Sequence, residues 1–356
     1  MKKWMYVTAA LVGLALTGCN TMYGEQEPNP ERGLPWESVP PESRGIRSED
    51  LARMVEHVHR NNLAIDSIVI YKDGTVPFEM YFNQYDSATS HNLKSTSKGV
   101  ISALVGIAIR EGFIESVETP VLSYFPEHPD DPRMDELTIR DLLTMSAGLR
   151  WNENDLNSMY TFFVSKRIAE RVLGQPFDEE PGSSFTYNTG LTHLLSVIIS
   201  RASGMSTIDF ARRYLFEPLE IQNVQWSVDR DGVQIGGSEL FLTPRAMTKF
   251  GVLYLQNGVY DGQQVIPAEW VRESTTTQIE GSFHGSPIEY GYLWWLDVGN
   301  GLFTYLDGED VFLAMGVHGQ RILVHRDLNA VVVITADQGD ESQVDILIRD
   351  FILPAL

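Results

Sequence analysis

Apolar positions follow three different rhythms along the chain. In SEDLARMVEHVHRN (48–61) they recur at helical spacing behind a serine and two acids, which predicts a helix with Ser48 as its cap. SIVIY (67–71) and TVPFEMYF (75–82) are dense or alternating apolar runs on either side of Asp73-Gly74, the pattern of a β-hairpin. Near the other end, YGYLWWL (290–296), VFLAMG (311–316), RILVH (321–325) and AVVVIT (330–335) read as strands. Arg326-Asp327-Leu328-Asn329 turns the last pair, and Val344, Leu347, Ile348 and Phe351 mark an amphipathic closing helix. Residues from about 92 to 285 read as mostly helical with long loops. The order predicts an α/β (α+β) protein: an antiparallel sheet built from both chain ends, flanked by terminal helices, with a large helical lobe inserted between its strands. The cleft between the two lobes is the natural place for a ligand.

The first twenty residues do not fit that body. MKKWMYVTAALVGLALTGCN has two lysines and an apolar run from about Val7 to Leu16, too short to span a membrane, and reads as an export signal covering residues 1–18. Its end, Leu16-Thr17-Gly18-Cys19, resembles the lipobox of bacterial lipoproteins, which implies lipidation at Cys19. Asn20 lacks the aspartate that retains such proteins at the inner membrane, so the periplasmic face of the outer membrane is favoured. Residues 19–35, polar and rich in Pro and Gly, read as a flexible tether. Cys19 is the single cysteine among 356 residues, so no disulfide is available and stability rests on the core, for which 43% apolar residues suffice. The net charge of −21 argues against nucleic acid, or an anionic membrane face, as a partner. Removal of residues 1–18 takes away Lys2 and Lys3 and no acid, leaving −23.

HNLKSTSKGV (91–100) carries the candidate chemistry. Ser95 opens a run, STSKGVISALVGIAIREG, that is apolar on most faces until Arg110, as a central buried helix would be. Lys98 stands three residues on, on the same face. A serine hydroxyl needs a base before it attacks, and burial lowers the proton affinity of an amine enough to make it one. A helix N-terminus also favours the anion that follows attack. Ser97 has Val100 in the corresponding place, and Lys94 points elsewhere around the helix. By itself S-x-x-K is also the pattern of a capped helix with a surface lysine.

The chain resembles the penicillin-recognising serine hydrolases: serine β-lactamases, DD-peptidases and related esterases and amidases, in the class C-like branch that includes 6-aminohexanoate-dimer-hydrolase-like proteins. Besides S-x-x-K, the resemblance rests on LTIRDLLTMSAGL (137–149), PGSSFTYNTGLTHLLSVII (181–199), GGSELFLTPRAMTKFGVLYLQNGVYDGQQVIPAEWV (236–271) and YGYLWWL (290–296). It implies one catalytic domain over 36–356, with a sheet lobe (36–91 and 286–356) and a helical lobe (92–285). It also implies Ser95 as nucleophile, Lys98 and Tyr187 as the proton-handling pair, backbone N–H groups of Ser95 and Val317 as the oxyanion hole, and no cofactor or metal. A phenol beside an ammonium is expected to have its anion stabilised. The family's Y-x-N reads Tyr187-Asn188-Thr189, so Thr189 takes the substrate-contacting place. K-T-G or H-x-G reads Ala314-Met315-Gly316. Gly316 lets a substrate backbone approach the strand, while the cation that helps hold the carboxylate of penicillin-like substrates is missing; His318 is a candidate replacement, or an exposed loop residue.

The expectation is therefore hydrolysis of a small ester, amide or peptide through an acyl-serine. The alternatives are a β-lactamase or DD-peptidase, or a catalytically silent binding lipoprotein on the same scaffold. An α/β-hydrolase elbow is not formed by Thr144-Met145-Ser146-Ala147-Gly148, and His57 and His59 diverge on a helix and give no zinc pattern.

Overall fold

Two long neighbouring strands of one sheet bring the ends of the chain together. In the computed structural model, which describes residues 35–126, 131–153, 155, 165–296 and 310–356, β1 (Ile65–Lys72) pairs antiparallel with the last strand, β13 (Ala330–Ala336), setting Ile68 opposite Ile334 and Ile70 opposite Val332. All residues of both strands are buried. That explains their near-continuous Val/Ile runs, because neither face of the sheet meets water. β2 (Thr75–Tyr81) closes the first hairpin through Asp73 and Gly74, both in the left-handed region at φ 47° and 79°.

The remaining strands are β3 (His91–Asn92), β4 (Gln225–Trp226), β5 (Leu240–Leu242), β6 (Val259–Tyr260), β7 (Gln263–Gln264), β8 (Ile279–Phe283), β9 (Ser286–Tyr290), β10 (Trp295–Leu296), β11 (Val311–Gly316) and β12 (Gln320–His325). The main sheet runs β2-β1-β13-β12-β11-β10-β9-β8, every pair antiparallel. A small sheet, β3-β5-β4, ties the approach to Ser95 to the helical lobe. The described residues lie in one compact unit, Glu31–Leu356.

Six helices matter for the site. They are α1 (Ser48–Arg60), α2 (Ser97–Arg110), α3 (Thr189–Ser203), α4 (Pro244–Leu255), α5 (Ala268–Ser274) and α6 (Ser342–Leu347). α2 is buried from Ser97 to Ala108 and packs on α3, α5 and β11. α4 lies on β13, β12 and β1, while α1 packs with the helical turns that follow α6.

Three expectations need correcting. Ser48 does not cap α1; it is the first helical residue, Arg47 precedes it, and its hydroxyl bonds Glu42. The run 290–296 is not one strand. Leu293 turns into the left-handed region at φ 64° and its N–H bonds the Leu143 carbonyl at 3.0 Å, so β9 ends at Tyr290 and β10 starts at Trp295. The sheet also begins earlier than residue 286, because β8 forms a hairpin with β9 through His284-Gly285, both at positive φ. The export signal, Cys19 and most of the tether lie outside the described residues.

Candidate active site

Ser95 is held by a change of helix type. Lys94 takes a left-handed φ of 50°, its N–H bonding Asn92 Oδ1 at 2.9 Å, and Lys94–Thr96 form a single 3-10 turn before α2 begins at Ser97. The turn leaves Ser95 partly open to solvent while Thr96, Ser97 and Lys98 are buried. Beside it, β11 ends at Gly316, where a Cβ would lie 2.5 Å from the Leu93 carbonyl oxygen and 3.0 Å from Thr96 Oγ1. Only a glycine allows strand and turn to meet this closely.

Lys98 is 2% exposed, and its Nζ has three oxygen neighbours: Ser95 Oγ at 2.8 Å, Gly237 O at 2.9 Å and Thr189 Oγ1 at 3.1 Å. Burial pulls the ammonium down to about 8, opposed by the negative charge of Glu153. The amine also sits 5.0 Å from the centre of the Tyr187 ring. Tyr187 immediately precedes Asn188, the residue whose side chain caps α3 through the Gly190 N–H. Its ring stacks on Trp295 at 5.5 Å and leans on Phe283 at 5.4 Å, and its hydroxyl faces Ser95.

The proton affinity of Tyr187 departs from expectation. Burial, and then Glu153, push the phenol well above its usual range, outweighing the opposing effect of Ser95. No stabilised phenolate rests beside the ammonium. The amine is therefore the readier proton acceptor of the pair, and the phenol stays protonated.

Of the other expected site residues, Val317 is 49% exposed just past β11, and among the described residues its N–H donates no hydrogen bond. Thr189 is 2% exposed, with its hydroxyl shared between Lys98 and Glu153 rather than offered to the cleft. Ala314 is buried, facing Gly99 of α2 beside Trp294, so a methyl group fills the place of the missing cation. His318 does not stand free in its stead. Its ring nitrogen Nδ1 lies 2.7 Å from Asp337 Oδ1 and its N–H bonds Glu341. Any charge on that ring is matched by a carboxylate.

Two participants had no signal in the sequence. Glu153, in the irregular stretch after Leu149, accepts from the Thr189 N–H at 3.0 Å and Trp151 Nε1 at 2.6 Å as well as from the Thr189 hydroxyl. Arg321, 1% exposed on β12, donates to the carbonyls of Gly316 at 3.1 Å and Gln320 at 3.0 Å and so braces the turn that carries Val317. Glu153 meets Thr189 across 36 residues, which no local pattern announces, whereas Arg321 reaches back only within the β11–β12 turn and its burial is what the sequence does not signal. Among the described residues, no group of three or more His, Cys, Asp or Glu side chains could hold a metal ion.

A serine, a buried amine and a phenol gathered between a helical lobe and an antiparallel sheet define a serine-hydrolase type of site. The chain belongs to the Beta-lactamase family, whose model matches residues 51–355. It is 24% identical over 291 residues to the 6-aminohexanoate-dimer hydrolase of Paenarthrobacter ureafaciens, covering 75% of this chain and 71% of that one. A family VIII carboxylesterase superposes with a TM-score of 0.71 at 15% identity, over 90% of this chain and 99% of the other. The octameric penicillin-binding protein homologue from Pyrococcus abyssi gives 0.68 at 18% identity, over 86% and 77%.

Proposed function

We propose that the protein hydrolyses a small, uncharged ester or amide through an acyl-serine intermediate. The carrying observation is the 2.8 Å approach of a buried Lys98 Nζ to Ser95 Oγ. In its neutral form the amine has two N–H donors and one lone pair. The donors match Thr189 Oγ1 and Gly237 O, leaving the lone pair directed at the Ser95 hydroxyl.

As Ser95 Oγ bonds the substrate carbonyl carbon, its proton passes to Lys98 Nζ. The negative oxygen forms against the N–H groups of Ser95 and Val317, which act where charge develops. Tyr187, still protonated and beside Ser95, relays a proton to the departing alcohol or amine and recovers one from Lys98. Water then attacks the acyl-serine as Lys98 takes its proton, and Lys98 returns that proton to Ser95 Oγ as the C–Oγ bond breaks, releasing the acid. With Ala314 in the cation's place and His318 matched by Asp337, β-lactams and D-Ala-D-Ala peptides are expected to be poor substrates.

We place this activity at the periplasmic face of the outer membrane, with the body held by lipid on Cys19; the lipobox-like Leu16-Thr17-Gly18-Cys19 supports that placement.

A fluorophosphonate probe tests the chemistry. The wild type is expected to be labelled at Ser95, and Ser95→Ala to lose p-nitrophenyl ester hydrolysis by at least about a thousandfold. Unlabelled Ser95, or a Ser95→Ala variant as active as the wild type, overturns the reading.

A further inference from the structure

The Lys98 amine does not end at its three neighbours. Thr189 Oγ1 receives the Lys98 N–H and passes its own hydrogen to Glu153 Oε1. A hydroxyl has one hydrogen, and Glu153 takes it, so Thr189 presents only lone pairs to Lys98. That forces one N–H of the amine toward Thr189, a second toward Gly237 O, and the remaining valence toward Ser95. Without the carboxylate, the Thr189 hydrogen is free to swing to Lys98 and occupy the lone pair that Ser95 requires.

Three donors fix Glu153 itself: the Thr189 hydroxyl, Trp151 Nε1 and the Thr189 N–H, which opens the fifteen-residue helix α3. The positive end of α3 thus faces this carboxylate.

Resting on the serine-hydrolase reading, we propose that Glu153 is a positioning residue for acylation, one that aims the Lys98 lone pair through Thr189 and supplies the negative charge against which Lys98 becomes an ammonium. The proton balance is closed: Ser95 loses its proton to Lys98, a C–O bond forms at Ser95 Oγ as the carbonyl π bond opens onto its oxygen, and Glu153 takes no proton in the step.

The other groups around Lys98 do not compete for this role. From the N-terminus of α3 comes Tyr187, which is neutral. The segment before β5 supplies the Gly237 carbonyl, and β11 supplies Ala314, which has no charge. Lys94 lies in the 3-10 turn before α2, and in β3 ahead of it the Asn92 amide is taken by Glu239. Glu341, just before α6, acts on Tyr187, and is engaged by the His318 N–H and the Arg321 guanidinium. Glu153 is the carboxylate that raises the proton affinity of Lys98 itself.

Glu153→Gln removes the charge and turns the Thr189 rotor while keeping the side chain's size. The test follows Ser95 labelling by the fluorophosphonate, and ester kcat/KM, from pH 5.5 to 9.5. In parallel, NMR of 13C-lysine-labelled protein follows the Lys98 Cε signal, assigned by its loss in Lys98→Met. The variant is expected to titrate Lys98 about one pH unit lower, to move the acid limb of kcat/KM down with it, and to lose about a hundredfold in the plateau. Glu153→Asp, which keeps the charge, is expected to hold the limb within about 0.3 units of wild type. A wild-type limb and Lys98 signal in Glu153→Gln overturn the positioning role, even where activity has dropped with thermal stability. If Glu153→Gln does not fold, Thr189→Ser against Thr189→Val gives the same comparison: the hydroxyl kept retains the limb and rate, the hydroxyl lost must lower the rate, and equal rates in the two overturn the proposal. A wild type unlabelled at Ser95 overturns the hydrolase reading together with this one, whereas a labelled wild type with an unmoved variant limb removes this one alone.

Discussion

Burying the Lys98 amine has two separable consequences at the scale of the residue. With the amine at about 8, about one molecule in ten holds it neutral at pH 7, so kcat/KM is expected to rise about tenfold per pH unit up to pH 7.5 and to level off above about 8.5. A profile flat from pH 6 to 9 is the outcome that removes Lys98 as base. The second consequence is thermodynamic. The unfolded amine binds its proton up to about 10.5 and the folded one only to about 8. Between those values the unfolded chain holds more protons, so stability rises with pH there, and below pH 8 the fold carries a penalty of about 3 kcal/mol from this one group. Lys98→Met removes the penalty but strands the Gly237 carbonyl, which costs about 1–3 kcal/mol. The variant is therefore expected to melt at or above the wild-type temperature at pH 7 while losing about a hundredfold or more in kcat. A melt far below wild type would mean the amine is structural. Ser95 and Lys98 were legible because one helical turn joins them, and Tyr187 through its motif. Glu153 was not, since its partners Thr189 and Lys98 are brought to it only by folding.

At the scale of the element, α2 is the part on which the site depends, and its fit against α5 is close enough to be tested by one methyl group. A Cβ on Gly106 would lie 2.3 Å from Trp270 Cγ and 2.4 Å from Cδ2. Those atoms sit at the root of the indole, in a residue only 5% exposed, and cannot swing aside. Alanine gains about 1 kcal/mol in helix propensity over glycine, but overpacking a core costs about 1–3. Gly106→Ala is expected to lower stability by about 1–2 kcal/mol in urea unfolding; a stabilised variant would show that α2 and α5 are not this close. The same reasoning explains which elements the sequence revealed. The β1–β2 hairpin and the β12–β13 pair were readable because apolar density and turn residues agree along a short stretch. Ile279–Phe283 was missed because β8 is an edge strand with alternating exposure, and its residues look like a polar loop. The bend at Gly291–Trp294 was hidden because its cause, the Leu293 bond to the Leu143 carbonyl, lies far away in sequence.

For the whole molecule, charge and anchoring pull in opposite directions. A body carrying −21, or −23 after loss of residues 1–18, is repelled by anionic lipid, so electrostatics contribute nothing to membrane attachment. Among the described residues no helix is long and apolar enough to cross a membrane. Under the proposed placement, attachment rests on acyl chains at Cys19, each buried CH2 contributing about 0.8 kcal/mol. The two origins respond differently to salt: a charge-held protein leaves the membrane as ions screen it, whereas a lipid-held one leaves only with detergent. In a bacterial host the wild type is expected to incorporate labelled palmitate and to stay in the membrane fraction through a 1 M salt wash. Cys19→Ser is expected to lose the label, and its folded product to appear in soluble fractions with Ser95 still reactive, because Ser95, Lys98, Tyr187 and Glu153 all lie in the body. Palmitate-free wild type, or a Cys19→Ser variant that still sediments with membranes through salt, would move the anchor away from Cys19.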